Sequence, residues 1–269
     1  MQVRGASADA LAALTGELEA RLQGGTDAAR VGGDLFQVSQ LLRGEPGLRR
    51  IATDASLEAG PKQELVRQIL AGKVDQVALD LVASAVGRRW TASRDLADTV
   101  ERLSEVATVR TAGDDASRLS DELFEFEQVV AQNPALRDAL SDTSRSIDDK
   151  TVLVRSLLEG KALEATVTLV QQSLAGTYRT VGAALQSYQK VAAEVAGKSA
   201  ATVRVAHTLS AADRQRLADV LSAQYGRAIH LNVVVDPSVV GGVRVEIGDD
   251  VIDGTVAGRL DDARRKLVS

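Results

Sequence analysis

Apolar residues recur every three or four positions along the first two-thirds of this chain. Leu11, Leu14, Leu18 and Leu22 open the pattern, and Leu65, Ile69 and Leu70 continue it. Val74, Val77, Leu81 and Val82 follow, then Leu119, Leu123, Phe126 and Val130, then Leu153, Leu157 and Leu158. A period near 3.6 residues predicts amphipathic helices, each hiding one stripe from water. Helix breakers divide the segments: Gly24-Gly25, Gly32-Gly33, Glu45-Pro46-Gly47, Gly60-Pro61, Gly72, Asn133-Pro134 and Gly160. Helices joined by such short connections favour a bundle.

The helical pattern is written twice. Residues 34–82 align with 122–170 without a gap, at a constant offset of 88 (122 minus 34). Identical pairs include Leu35/Leu123, Phe36/Phe124, Pro46/Pro134, Leu48/Leu136, Asp54/Asp142, Lys62/Lys150 and Leu65/Leu153. Val66/Val154, Arg67/Arg155, Gly72/Gly160, Lys73/Lys161 and Leu81/Leu169 extend the series. Core positions and helix punctuation both match, as two copies of one structural unit require. The same offset carries the helix near 7–22 onto 95–110. One helix within Trp90–Arg110 is therefore expected to close the first bundle and open the second. Trp90 and its counterpart Tyr178 are expected to begin matching helices.

Past Gly197 the period drops to two. Val203 and Val205 alternate with Thr202 and Arg204; Ile229, Leu231, Val233 and Val235 form a second alternating run, and Val243, Val245 and Ile247 a third. Ser210 and Asp213 have capping-box spacing at the start of an intervening helix. Leu217, Val220 and Leu221 are expected to face inward on it, and Gly226 to stop it. Asp236-Pro237 ends the second strand, because proline cannot donate to a ladder. Gly248-Asp249-Asp250 predicts a hairpin. Asp253-Gly254-Thr255 then opens a last helix with Val256, Leu260 and Leu267 on its apolar line. The predicted fold is α+β and mostly α: tandem duplicated helical bundles followed by a β-α-β-β-β-α domain. The expected boundaries are 1–111 and 90–197, sharing the helix near 90–111, and 200–269.

Composition removes several function classes. Aromatic residues make up only 3% of the 269 positions, so the core must be built from Ala, Leu and Val. A net charge of −5 gives no basic footprint for nucleic acid. With no cysteine, thiolate metal sites and disulfides drop out. The two histidines, His207 and His230, lack metal-ligand spacing. No phosphate-loop motif occurs, so Gly241, Gly242 and Gly248 read as turn glycines. The pairs Asp114-Asp115, Asp148-Asp149, Asp249-Asp250 and Asp261-Asp262 fall at predicted turns and helix ends, where Asp is favoured without any catalytic role. No cofactor is expected. The N-terminus lacks a signal-peptide pattern, and no apolar run approaches the ~18 residues that span a bilayer.

The stretch from Asp236 to Leu260 (paired glycines, an alternating strand, Gly-Asp, Ile-Asp-Gly and an Arg-Leu helix) closely resembles the C-terminal signature of the ATP synthase delta subunit family, relatives of the oligomycin-sensitivity-conferring protein. Its carriers here are Gly241, Gly242, Gly248, Asp249, Asp253, Gly254, Arg259 and Leu260. Asn133-Pro134-Ala135-Leu136-Arg137 and the Lys150–Lys161 stretch resemble helices of that family's N-terminal domain. Two helical copies match its longer, actinobacterial form. The resemblance implies a non-catalytic stator part of the peripheral stalk, linking the catalytic alpha/beta head to the b stalk and resisting rotor torque. It implies that the N-terminal helix of an alpha subunit lies in a groove between the first and fifth helices of a bundle. It also implies that the C-terminal helix of the b subunit docks on the last domain. By family position the two grooves join 7–23 with 74–87 and 90–111 with 162–175. Leu11, Leu14, Leu18, Val77, Leu81 and Leu169 are the candidate lining. The implied location is the cytoplasmic side of the cell membrane, reached only through the complex. A helical adaptor outside the synthase is the alternative.

Overall fold

The structure, a computed structural model, describes residues 3–23, 25–197, 199–226, 228–247 and 250–256. The chain forms two compact units, 1–191 and 192–269.

The first unit is helical. Its helices are α1 (Ala6–Leu22), α2 (Ala28–Gly44), α3 (Pro46–Thr53), α4 (Ala59–Leu70), α5 (Gln76–Val86) and α6 (Ser93–Arg110). Then come α7 (Ala116–Gln132), α8 (Pro134–Ser141), α9 (Ile147–Leu158), α10 (Glu164–Gln172) and α11 (Val181–Val195). Each helix from α7 to α11 starts 88 residues after its counterpart in α2 to α6, as in Ala116 against Ala28 (116 minus 28). Local devices repeat with the helices. The Asp54 carboxylate accepts from the backbone N–H and hydroxyl of Ser56 at 2.8 and 2.7 Å, and Asp142 does the same with Ser144 at the same distances. These bonds hold both carboxyls below the usual aspartate range. Asp34 on α2 accepts the N–H of Asp75 at 2.6 Å, and Glu122 on α7 accepts that of Leu163 at 2.9 Å. In each copy an acid on the second helix thus satisfies an orphan donor where the fifth helix begins, with favourable sign for the helix dipole.

α6 is one continuous helix. It packs against α1, α2, α3 and α5 and also against α7 and α10. Twelve of its 18 residues are buried, so it is enclosed on nearly every side. Leu96, Val100 and Leu103 are fully covered; burial of each such side chain stabilises by about 1.5–3 kcal/mol.

Three local expectations change. Gly32-Gly33 does not break the chain but sits inside α2. There a Cβ on Gly32 would lie 2.8 Å from Thr108 Oγ1 on α6, so the missing side chain permits a close helix crossing, not a turn. Trp90 and Tyr178 precede their helices, which start at Ser93 and Val181. The indole N–H of Trp90 donates to the carbonyl of Ala85 at 3.0 Å, tying the connection back to α5.

The second unit carries β1 (Ser199–Val205), α12 (Ala211–Tyr225), β2 (Ile229–Val235), β3 (Val243–Ile247) and β4 (Asp250–Asp253). Their sheet order is β2-β1-β3-β4, with β1 parallel to β2 and antiparallel to β3. The alternating residues Ala201, Val203, Val205, Ile229, Leu231, Val245 and Ile247 form its core with Leu221 of α12. Ser210 caps α12 by accepting the Asp213 N–H at 3.1 Å, and Gly226 ends it at φ 65°. Val220 faces out, 57% exposed, because α12 turns Leu217, Ala218, Leu221 and Tyr225 toward the sheet. The expected final helix lies outside the described residues.

Candidate functional site: helix grooves and a glycine turn

The seam between α1 and α5 is sealed from within by leucines. Leu14, Leu18 and Leu81 are wholly buried and belong to the interior of the first copy; Leu11 and Val77 are half-buried at the seam's edge. The outer face of α1 is small and bare: Ala12, Ala13, Gly16 and Ala20 are exposed. A Cβ added at Gly16 would meet nothing within 4 Å. Polar links fasten the seam. Arg21 pairs with Asp80 at 3.3 Å, Arg88 with Glu17 at 2.5 Å, and the Ser84 hydroxyl donates to Glu17 at 3.1 Å. All are partly solvated, so each contributes at most about 1 kcal/mol; their effect is to fix the spacing of the two helices.

The repeat-related seam between α6 and α10 differs. Leu169 is wholly buried, and so are the α6 residues that correspond to the bare face of α1. Val100, Glu101, Ser104 and Thr108 stand where α1 has Ala12, Ala13, Gly16 and Ala20. Their cover is α2. The Ser104 hydroxyl donates to the Gly32 carbonyl at 2.6 Å, and the Gln172 amide of α10 donates to the same hydroxyl at 3.2 Å. At the other end of α2, Arg43 pairs with Glu101 and with Asp98, the latter at 3.0 Å. The Thr177 N–H, just past α10, donates to Glu101 at 3.0 Å.

These contacts bury carboxylates that the hydropathy pattern leaves on a polar stripe. Burial raises the Glu101 carboxyl above its ordinary range against the opposing Thr177 N–H and Arg43. Glu105, one turn on, is pushed up to about 6 by burial, against the pull of Arg102 at 3.0 Å. Tyr178 donates its hydroxyl to Glu105 at 2.9 Å and packs edge-on against Tyr188 with ring centroids 5.7 Å apart. Burial raises both phenols above their usual value. The signal that could have found this cluster was the shared helix itself: a helix serving two bundles has no solvent side for its acids.

In the second unit, Gly241 and Gly242 adopt φ 70° and 82°, the left-handed region that disfavours side chains. The turn folds onto the end of β4. The Gly254 N–H donates to the Val243 carbonyl at 2.9 Å, and the Val256 N–H to Gly241 at 3.2 Å. Asp253 accepts from the Thr255 N–H and hydroxyl at 2.9 and 2.6 Å, which holds its carboxyl below the usual range. Gly241, Gly242, Asp253 and Gly254 are thus brought together as one structural turn. Gly248, Asp249, Arg259 and Leu260 lie outside the described residues. Among the described residues, no group of three His, Cys, Asp or Glu could hold a metal ion, and no helix is long and apolar enough to cross a membrane.

Comparison with known proteins follows the same architecture. The family described as ATP synthase delta (OSCP) subunit matches residues 103–267, which run from within α6 through the second copy into the last domain. ATP synthase subunit delta of Nocardioides sp. is 55% identical over 98% of this chain and 97% of its own. The subunits delta of Kineococcus radiotolerans, 44% identical over 98% and 97%, and of Streptomyces avermitilis, 41% identical over 100% of both chains, span the first copy as well. With a family match over more than half its length and relatives aligned end to end, the chain belongs to the ATP synthase delta (OSCP) subunit family.

Proposed function

We propose that this chain works as the joint between the catalytic head and the stalk, gripping a different subunit with each unit. It is a structural, non-catalytic subunit of the peripheral stalk of an F-type ATP synthase, part of a membrane-bound complex and itself peripheral. In this reading the helical copies, bounded by 1–111 and 90–197, meet the head. The seam of α1 and α5 takes the amphipathic N-terminal helix of an alpha subunit, with half-buried Leu11 and Val77 at its edge; Leu14, Leu18 and Leu81 lie beneath, in the interior, and hold the two helices together without meeting the guest. The domain from 200 to 269 grips the C-terminal helix of the b subunit, on the cytoplasmic side of the membrane. Helix-in-groove recognition suits the site, because a bare small-residue face admits a close helix crossing. The observation that carries the reading is the exposed small-residue face of α1 around Gly16, on a chain related to subunits delta along its whole length.

A joint under torque must not dissociate during turnover, and nanomolar binding corresponds to roughly −12 kcal/mol. A standard interface of about 1,600 Å² can supply that only where its contacts are well made. Pull-down with separate peptides of the alpha N-terminus and the b C-terminus tests the division of labour. A chain truncated after Gly197 is expected to retain the alpha peptide and lose the b peptide. Retention of the b peptide by the truncated chain would reverse the assignment.

A further inference from the structure

We infer that one chain seats a single partner helix, because the second of its two repeat-related grooves is already filled by the chain's own α2. The inference rests on the proposed alpha-helix groove, and it assigns that groove to the first of the two copies. The offset of 88 pairs α1 with α6 and α5 with α10, so the two grooves are made from equivalent positions. They differ in cover. Ala13, Gly16 and Ala20 of α1 are exposed, while their counterparts Glu101, Ser104 and Thr108 are buried. Val77 and Ser84 of α5 are half-buried, while their counterparts Ala165 and Gln172 are buried.

The cover is a helix held at both ends. Ser104 bonds the Gly32 carbonyl and receives Gln172, so α2, α6 and α10 meet at one hydroxyl. Eleven residues along α2, Arg43 closes the far end on Glu101 and Asp98. Gly32 eases the close crossing: a Cβ there would lie 2.8 Å from the Thr108 hydroxyl and 3.3 Å from its backbone nitrogen. In a repeat array each unit buries its neighbour's open face, and the terminal unit is left without a neighbour. Here the first copy caps the second, and α1 is the uncapped end. The internal contact also supplies the geometry for the guest: a helix crossing α1 near Gly16 as α2 crosses α6 near Ser104, presenting a small residue at the crossing. Two copies therefore give one seat and no bivalent gain. The duplication enlarges the helical unit without adding a second alpha contact of this kind.

The test is calorimetric titration of the full chain with a synthetic peptide of about 20 N-terminal residues of the alpha subunit, roughly 30 Å of helix, with amide exchange read on the same complex. The expected result is one peptide per chain. New protection should appear over 6–22 and 76–86, and α2 should stay protected before and after. Gly16→Leu should weaken binding on the order of 100-fold or more. Two peptides per chain, binding that survives Gly16→Leu, or loss of α2 protection on titration would overturn the inference. A second pair of measurements needs no partner. Ser104→Leu should lower Tm by about 5 °C or more, since its seat is occupied, whereas Gly16→Leu should leave Tm unchanged or raise it slightly, leucine being the better helix former. Equal Tm for wild type and Ser104→Leu would show the second groove empty. Absence of any peptide binding, with this thermal contrast intact, would count against the alpha-helix reading and leave the filled groove standing.

Discussion

Replacing Arg43 by methionine will cost about 3 kcal/mol at pH 8 and distinctly less at pH 5. The guanidinium is the cation for Glu101, whose side chain is 1% exposed, and for Asp98. Removing one partner of a buried pair costs about 3–5 kcal/mol. The lower end applies because Arg43 also lines an open polar cleft of about 450 Å³ with Arg49, Arg94 and Asp95. The pH dependence follows from the carboxylates. Burial already raises Glu101 above its ordinary value, and Arg43 works against that rise. Without the arginine the pKa climbs further, so lowering the pH lets the carboxyl protonate and recovers part of the loss. Glu105 adds a slope of the same sign to both proteins. Its pKa goes from 4.5 to about 6 on folding, so its contribution is complete below pH 4.5 and is lost as pH rises through about 6. That swing is worth about 2 kcal/mol. Urea unfolding at the two pH values, followed by fluorescence of the single tryptophan, Trp90, measures the difference. A deficit of equal size at both would mean that Arg43 acts by packing alone.

The glycine turn gives the second large effect, in the other unit. Gly242→Val should cost about 3 kcal/mol or more and detach β4 from β3. Valine is poorly tolerated at φ 82°. Its Cβ would also lie 2.4 Å from the Gly254 carbonyl oxygen and 2.8 Å from the Thr255 Cα. Both neighbours are backbone, and they are fixed: Gly254 by its bond to Val243, Thr255 by the Asp253 carboxylate. No flexible side chain can move aside, so the strand end must. Amide exchange should show faster exchange in 243–253 and unchanged rates through α1 to α10. Unaltered protection of β3 and β4 would show that the turn tolerates a side chain. Under the proposed division of labour, this variant loses the b peptide and keeps the alpha peptide.

Much of this architecture is legible in the residues, for definite reasons. Helix ends are local, so Asn133-Pro134, Ser210 with Asp213, and Gly226 announce themselves. The duplication is a comparison of the chain with itself, and it locates every helix of the second copy once the first is read. What the pattern cannot carry is contact between distant segments. Gly32-Gly33 has the composition of a break; it is a crossing point only because Ser104, 72 residues later, lies against it. Glu101 and Glu105 look like a solvent stripe until two bundles close over one helix. The groove meets the same limit. Apolar periodicity selects the inward side of a helix, so it marks Leu14, Leu18, Leu81 and Leu169, which are interior residues and line no groove. The bare outer positions Ala13, Gly16 and Ala20 carry no hydropathy signal, and only their exposure distinguishes them.

As a coupling element, the chain performs no chemistry of its own. Proton-driven ATP synthesis in inverted membrane vesicles stripped of this subunit tests that role most directly. Synthesis should fail in the stripped vesicles and return when the full chain is added back, while the truncated chain ending at Gly197 restores none of it. Synthesis that proceeds undiminished without the chain would contradict the coupling role.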